Sequence, residues 1–222
     1  MPVLPVHEPT AAVDLYWLPL GAGGHCVRLN GRIFETVVAA CEWRSRRALY
    51  HSALIVRVGD ERFVIEMTPI RDGDGAVRGV VAEGPVGSRF AGRARLFRYE
   101  IRRWHFGVIP DVGEAVQSPC RLTEDPVIAR RLLDLVAHVP TPVWGRDESH
   151  AGEMWNSNSL ISWLIVSSGL PVASVLLPPN GRAPGWDAGI VVARRPTAGT
   201  LARPTQLNEE VDRVRTHILQ HR

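Results

Sequence analysis

The stretch YHSALIVRVGDERFVIEMT, residues 50–68, decides the fold. It holds two apolar runs, 52–58 and 62–68, separated by Gly59-Asp60. A two-residue loop that begins with glycine is typical of a tight β-hairpin, because glycine adopts the positive φ that such turns require. The stretch therefore predicts two antiparallel strands in which Val58 faces Glu61.

The hairpin register brings two titratable side chains together. Side chains alternate between the faces of a strand, so His51 and Glu66 share a face as diagonal neighbours, roughly 7–8 Å apart. A carboxylate beside an imidazole can fix its tautomer and orient its ring. The alternative is an edge histidine near an unrelated glutamate, and the spacing alone leaves both interpretations open.

The rest of the chain predicts further strands, an amphipathic helix and a buried helix. One helix begins at Pro126 and ends before Pro140, with apolar residues on one face. A second, apolar nearly all round, begins after Asn156 and stops at Gly169. Short apolar runs predict strands over 76–83, 93–104 and 189–193. Residues 13–20 are a short apolar segment, and residues 33–41 stay open between strand and helix. A stripe of apolar residues predicts a C-terminal helix over 207–218. Strands followed by helices indicate an α+β fold with a mostly antiparallel sheet. We expect a loose segment over 1–12 and one domain over 13–222.

The amino-acid composition limits the classes of function that the chain can have. All 26 basic residues are arginine and the net charge is only +3, which argues against a nucleic-acid partner. The three cysteines form no C-x-x-C pair, and the start of the chain lacks a secretory pattern, so we expect a cytoplasmic protein without a transmembrane segment. No complete dinucleotide, phosphate-loop or metal-ligand spacing is present, which predicts neither a cofactor nor a metal.

One arginine-rich region weakens the argument against a nucleic-acid partner. Six arginines interleave with aromatic residues over 89–104, a pattern that can grip a phosphate, a lipid head group or a single nucleic-acid strand. The ordinary interpretation is a strand with one solvated face. Arg102 and Arg103 are candidates for anchoring an anionic substrate.

The run Met154-Trp155-Asn156-Ser157-Asn158-Ser159 opens the apolar helix. Asparagine and serine are ordinary helix-capping residues, so a structural role explains the run on its own. A nucleophile at a helix start would also gain the positive end of the helix dipole and free backbone N–H groups.

His51 at a strand start, Glu66 on the next strand and an Asn-nucleophile pair opening an apolar helix follow one another in this order. The pattern resembles the circularly permuted papain-like family, which includes lecithin:retinol acyltransferase-like proteins and permuted NlpC-type hydrolases. The resemblance covers residues 50–169 and implies an antiparallel sheet packed on a buried helix that bears the nucleophile.

The resemblance also implies roles and a reaction. Ser157 falls where the family has its catalytic cysteine, His51 where it has the general base, and Glu66 where it has the orienting residue. The implied function is a hydrolase or acyltransferase that acts on an amide or ester bond of a small-molecule, peptide or lipid acyl substrate. Asn156, Asn158, Arg103 and Trp186 are the substrate-binding candidates, and Ser159 is the alternative nucleophile.

Serine in place of cysteine leaves three alternatives: a serine hydrolase, a Cys-to-Ser variant, and a pseudoenzyme of the same fold that binds its ligand without turnover. A helix dipole can hold a thiol as thiolate, but a serine hydroxyl has to lose its proton to the base during attack. The resemblance therefore requires a close contact between Ser157 and His51.

Overall fold

The computed structural model describes residues 9–20, 48–70 and 78–196. Within these residues the strands are β1 (Ala11–Pro19), β2 (Ala48–Val58), β3 (Glu61–Pro69), β4 (Val80–Pro85), β5 (Arg98–His105), β6 (Cys120–Thr123) and β7 (Gly181–Arg182). The α-helices are α1 (Pro126–Leu135), α2 (Ser157–Ser167) and α3 (Trp186–Ala193). No helix in the described ranges is long and apolar enough to cross a membrane.

The strands form one sheet in the order β4-β5-β3-β2-β1-β6, with neighbouring strands antiparallel. The short β7 pairs with β2 in parallel. The hairpin prediction is confirmed, because Val58 faces Glu61 and Gly59 has a φ of +60°. The fold is thus mixed α and β with a mostly antiparallel sheet, as the sequence predicts.

The two faces of the sheet bury different sets of residues. Leu15, Trp17 and Leu54 lie in the main core together with apolar residues of α1 and α2. Leu18 and Ala53, each one residue away along its strand, belong to a smaller cluster on the other face. Because side chains alternate between the two faces along each strand, only those on the face of the main core can contact α1 and α2.

The sheet opens between β2 and β3. Their pairing ends at Leu54 and Ile65, although β2 begins at Ala48 and β3 runs on to Pro69 beside β5. We call the space between residues 48–53 and 66–69 the notch. Strand β1 occupies one edge of β2, so β7 pairs with Ala48 along the edge of β2 that faces the notch.

Helix α2 begins where the sequence predicts, whereas α3, which packs against it, was not predicted as a helix. Asp125 caps α1 and Asn156 caps α2. The predicted strand over 189–193 is wrong, because these residues belong to α3. A Cβ built on Gly189 would stand 2.1 Å from the Ser159 carbonyl oxygen, so glycine at this position lets α3 pack closely on α2.

Other boundaries also differ. Strand β4 begins at Val80 rather than residue 76, and residues 91–97 form two 3₁₀ turns before β5 begins at Arg98. Strand β1 begins at the buried Ala11, inside the segment predicted to be loose. The predictions for residues 33–41 and the C-terminal helix lie outside the described residues.

Candidate functional site

The start of α2 is held by its own capping residues. The Asn156 side-chain oxygen accepts from the backbone N–H groups of Asn158 at 2.9 Å and Ser159 at 3.3 Å. The Ser159 hydroxyl accepts in return from the Asn156 N–H at 3.1 Å, which completes a capping box. The Asn158 N–H, one of the backbone N–H groups at the helix start that could hold an oxyanion, is therefore already engaged.

Asn158 ties α2 to two other segments. Its side-chain nitrogen donates to the carbonyl oxygens of Tyr50 at 3.0 Å and Pro184 at 2.9 Å. Its side-chain oxygen accepts from the Ser52 hydroxyl at 2.9 Å. With only 2% of its surface exposed, Asn158 holds α2 in the notch, and these contacts satisfy both ends of its amide.

Ser157 differs from its neighbours at the helix start because its side chain makes no structural hydrogen bond with a described residue. The residue is 6% exposed, and its hydroxyl forms no hydrogen bond with a described residue. The hydroxyl is not one of the buried polar atoms left without a partner, so it retains contact with the surface and can donate to a carbonyl oxygen of a bound molecule.

His51 points to the other face of the sheet. Strand register places His51 beside Leu18 of the smaller cluster, while the next residue, Ser52, contacts Asn158 on the helix side. Within the described structure, no hydrogen bond joins the His51 ring to the Ser157 hydroxyl. The register thus directs His51 away from α2, whereas the predicted catalytic pair requires both side chains in one cleft.

The surroundings of His51 keep its ring neutral. Burial lowers its pKa to about 4, although the negative charge of Asp111 acts in the opposite direction. A general base works best when its pKa lies near the working pH. A ring of this pKa is a weak base at neutral pH.

This lowered pKa makes stability depend on pH. In the unfolded chain the pKa is near 6.5, so His51 contributes stability that is complete above pH 6.5 and is lost as the pH falls towards 4. The loss amounts to at most about 3 kcal/mol. Urea unfolding at pH 7.5 and 5 should show about 2 kcal/mol of this loss, and His51→Gln should reduce it. An equal pH dependence in the variant would contradict the assignment.

Glu66 lies on the same face as His51 but has another partner. Its carboxylate accepts from Arg102 at 2.8 Å, and Arg102 also binds Glu100. Burial raises the pKa of Glu66, and the Arg102 charge opposes that rise. The carboxylate therefore serves an ion network and makes no hydrogen bond to the His51 ring.

The substrate-binding candidates make structural contacts. Asn156 caps α2 and donates to the Pro184 carbonyl at 2.8 Å. Trp186 packs against Trp17 with 5.0 Å between ring centroids. Arg103 donates to the Leu133 carbonyl at 3.1 Å, near the end of α1. Contact of these residues with a substrate stays a prediction, as do the catalytic roles of Ser157, His51 and Glu66.

Sequence reasoning missed Ser52 and Asp111, and it predicted Arg102 as a substrate anchor, whereas Arg102 binds Glu66 and Glu100. Ser52 directly follows His51, and its hydrogen bond to Asn158 required the strand-to-helix distance that no sequence spacing supplies. The alternation of side chains along β3 predicted the face of the sheet on which Glu66 lies. It could not predict the ion partner of Glu66, because Arg102 lies on β5.

Over the described ranges, no group of three or more His, Cys, Asp or Glu side chains is placed to hold a metal ion.

Comparisons with known proteins return no relative of this chain: no family model, no curated protein and no solved structure matches it.

Proposed function

We propose that the chain is a ligand-binding domain of the permuted papain-like plan, which holds a peptide or lipid acyl ligand at the start of α2 without cleaving it. The observation that carries this proposal is the direction of His51. The side chain of β2 that hydrogen-bonds to the first turn of α2 is that of Ser52, which contacts Asn158.

The remaining requirements of acyl transfer support the same conclusion. An activated serine needs a nearby base, and the base needs an orienting partner. Glu66 is bound by Arg102, and the Asn158 N–H is bound by the cap of Asn156. The hydrogen bonds that would assist catalysis are instead used to hold the fold.

Ser157 defines the ligand chemistry. Its hydroxyl can donate to a carbonyl oxygen and accept from an amide N–H, which are the groups that peptides and acyl amides present. One turn further along α2, Leu160 and Ile161 are buried in the main core. A ligand with one amide or ester group and an apolar tail fits this environment.

The test uses a fluorescent fluorophosphonate, which reacts quickly only with an activated serine. We expect labelling of the full chain to equal that of the Ser157→Ala variant. Binding is measured on the same preparations with a dansyl-labelled decanoyl amide, for which Ser157→Ala should weaken affinity about 2- to 10-fold, the effect of one neutral hydrogen bond. Equal affinity in both proteins would contradict the binding role.

Acyl transfer by Ser157 is the second candidate. It is favoured by one observation, the position of Ser157 as the first residue of α2 with a hydroxyl that forms no hydrogen bond with a described residue. Rapid labelling that depends on Ser157 and is lost in His51→Ala would establish this function and overturn the first.

A further inference from the structure

Residues 88–98, SRFAGRARLFR, form a loop between β4 and β5 that presents large apolar side chains to solvent. Phe90 is 77% exposed, Leu96 70% and Phe97 47%. Contiguous exposed apolar surface of this kind marks interaction sites in folded proteins. We call this segment the 88–98 loop.

The exposure is maintained by an ordered backbone. The Val86 N–H donates to the Phe97 carbonyl at 2.8 Å and closes the base of the loop. Two 3₁₀ turns occupy residues 91–97, and the Ser88 hydroxyl accepts from the Ala91 N–H at 3.0 Å. The apolar side chains are therefore held outside the core by local hydrogen bonds.

The charge of the loop is wholly positive. It has four arginines and no acidic residue. Arg89 pairs with Glu148 and Arg98 with Glu83. Arg93 lies over the Phe90 ring at 5.2 Å, and neither Arg93 nor Arg95 forms an ion pair with a described residue. Two uncompensated cations thus flank the exposed apolar side chains.

We propose that the 88–98 loop docks the protein on an anionic phospholipid bilayer. Phe90, Leu96 and Phe97 would enter the boundary between head groups and acyl chains, where aromatic and aliphatic side chains are stabilised. Arg93 and Arg95 would remain at the level of the phosphates, since long cationic side chains keep their charge in the polar layer.

The exposure pattern favours a bilayer over a nucleic acid. Single-strand binding uses aromatic platforms along a basic groove, and Leu96 offers no ring on which a base could stack. Side chains exposed by 70% or more stand out from the surface, as insertion into a bilayer requires. The inference does not depend on the proposed function, because it uses none of the residues around Ser157.

The full chain is sedimented with vesicles of phosphatidylcholine alone and of phosphatidylcholine with 30 mol% phosphatidylserine. We expect binding to the anionic vesicles that weakens steeply with salt. Each of Arg93→Gln and Arg95→Gln should weaken it about fivefold, the effect of one charge near such a surface. The double variant Phe90→Ser/Leu96→Ser should weaken it more than tenfold.

Two matched control variants test whether the effect on binding is specific to the 88–98 loop. Leu176 is as exposed as Phe90, and Arg130 is an exposed arginine on α1, so Leu176→Ser and Arg130→Gln should bind like the parent. Equal binding to neutral and anionic vesicles, or parent-like binding by the loop variants, would overturn the proposal. So would loop-dependent binding to oligo-dT or loop-dependent self-association in the absence of vesicle binding.

Discussion

Arg102→Met is expected to lower the free energy of unfolding by about 3–5 kcal/mol, the usual effect of removing one partner from a buried ion pair. Arg102 is buried on β5 and binds both Glu66 and Glu100, which are also buried. Methionine would preserve most of the volume but leave two carboxylates in a poorly solvated environment without their cation. Urea unfolding at pH 7.5 measures the loss.

Glu66→Gln is the matched control for this prediction. The amide can still accept from Arg102, and Arg102 would then balance Glu100 alone. Because burial raises the pKa of Glu66, the ionised carboxylate opposes folding as the pH rises above its ordinary range near 4.5. We expect Glu66→Gln to change stability by less than about 1 kcal/mol. A loss as large as that of Arg102→Met would contradict this account of the network.

Asn158→Ala is the second substitution with a large expected effect, a loss of about 3 kcal/mol, since a buried partner left unsatisfied costs about 1–3 kcal/mol. It removes one acceptor and two N–H donors from a site that is 2% exposed. The carbonyls of Tyr50 and Pro184 and the Ser52 hydroxyl would lose their partner.

Ser157→Ala provides the comparison one residue away on the same helix. Its hydroxyl has no hydrogen bond to lose within the described structure, and alanine favours helix. Its stability should therefore stay within about 0.5 kcal/mol of the parent. Equal losses for Asn158→Ala and Ser157→Ala in urea would show that the notch contacts do not stabilise the fold.

The parts of the fold with local signals could be predicted from sequence. Gly59-Asp60 specified both the hairpin turn and its register, because a two-residue loop allows few alternatives. Asp125 before Pro126 and Asn156 before an apolar run specified two helix starts, because capping depends on residues within one turn.

Features that depend on tertiary contacts could not be predicted in this way. The run over 189–193 suits a strand or a buried helix, and its helix forms where Gly189 allows close approach to α2. The face of β2 that the helix covers is likewise set by packing. Sequence spacing therefore paired His51 with Glu66 on one face but could not tell that α2 meets Ser52 on the other.

The most direct test of the central claim, that Ser157 has no activating base, is the pKa of the thiol in Ser157→Cys. The rate of alkylation by iodoacetamide is followed against pH, and mass spectrometry separates the new thiol from Cys26, Cys41 and Cys120. Our account predicts a thiol pKa that is unchanged by His51→Ala, because any lowering from the ordinary value of about 8.5 then comes from the start of the helix alone. A pKa below about 7 that rises in His51→Ala would contradict it, because such a shift requires the imidazole beside the thiol.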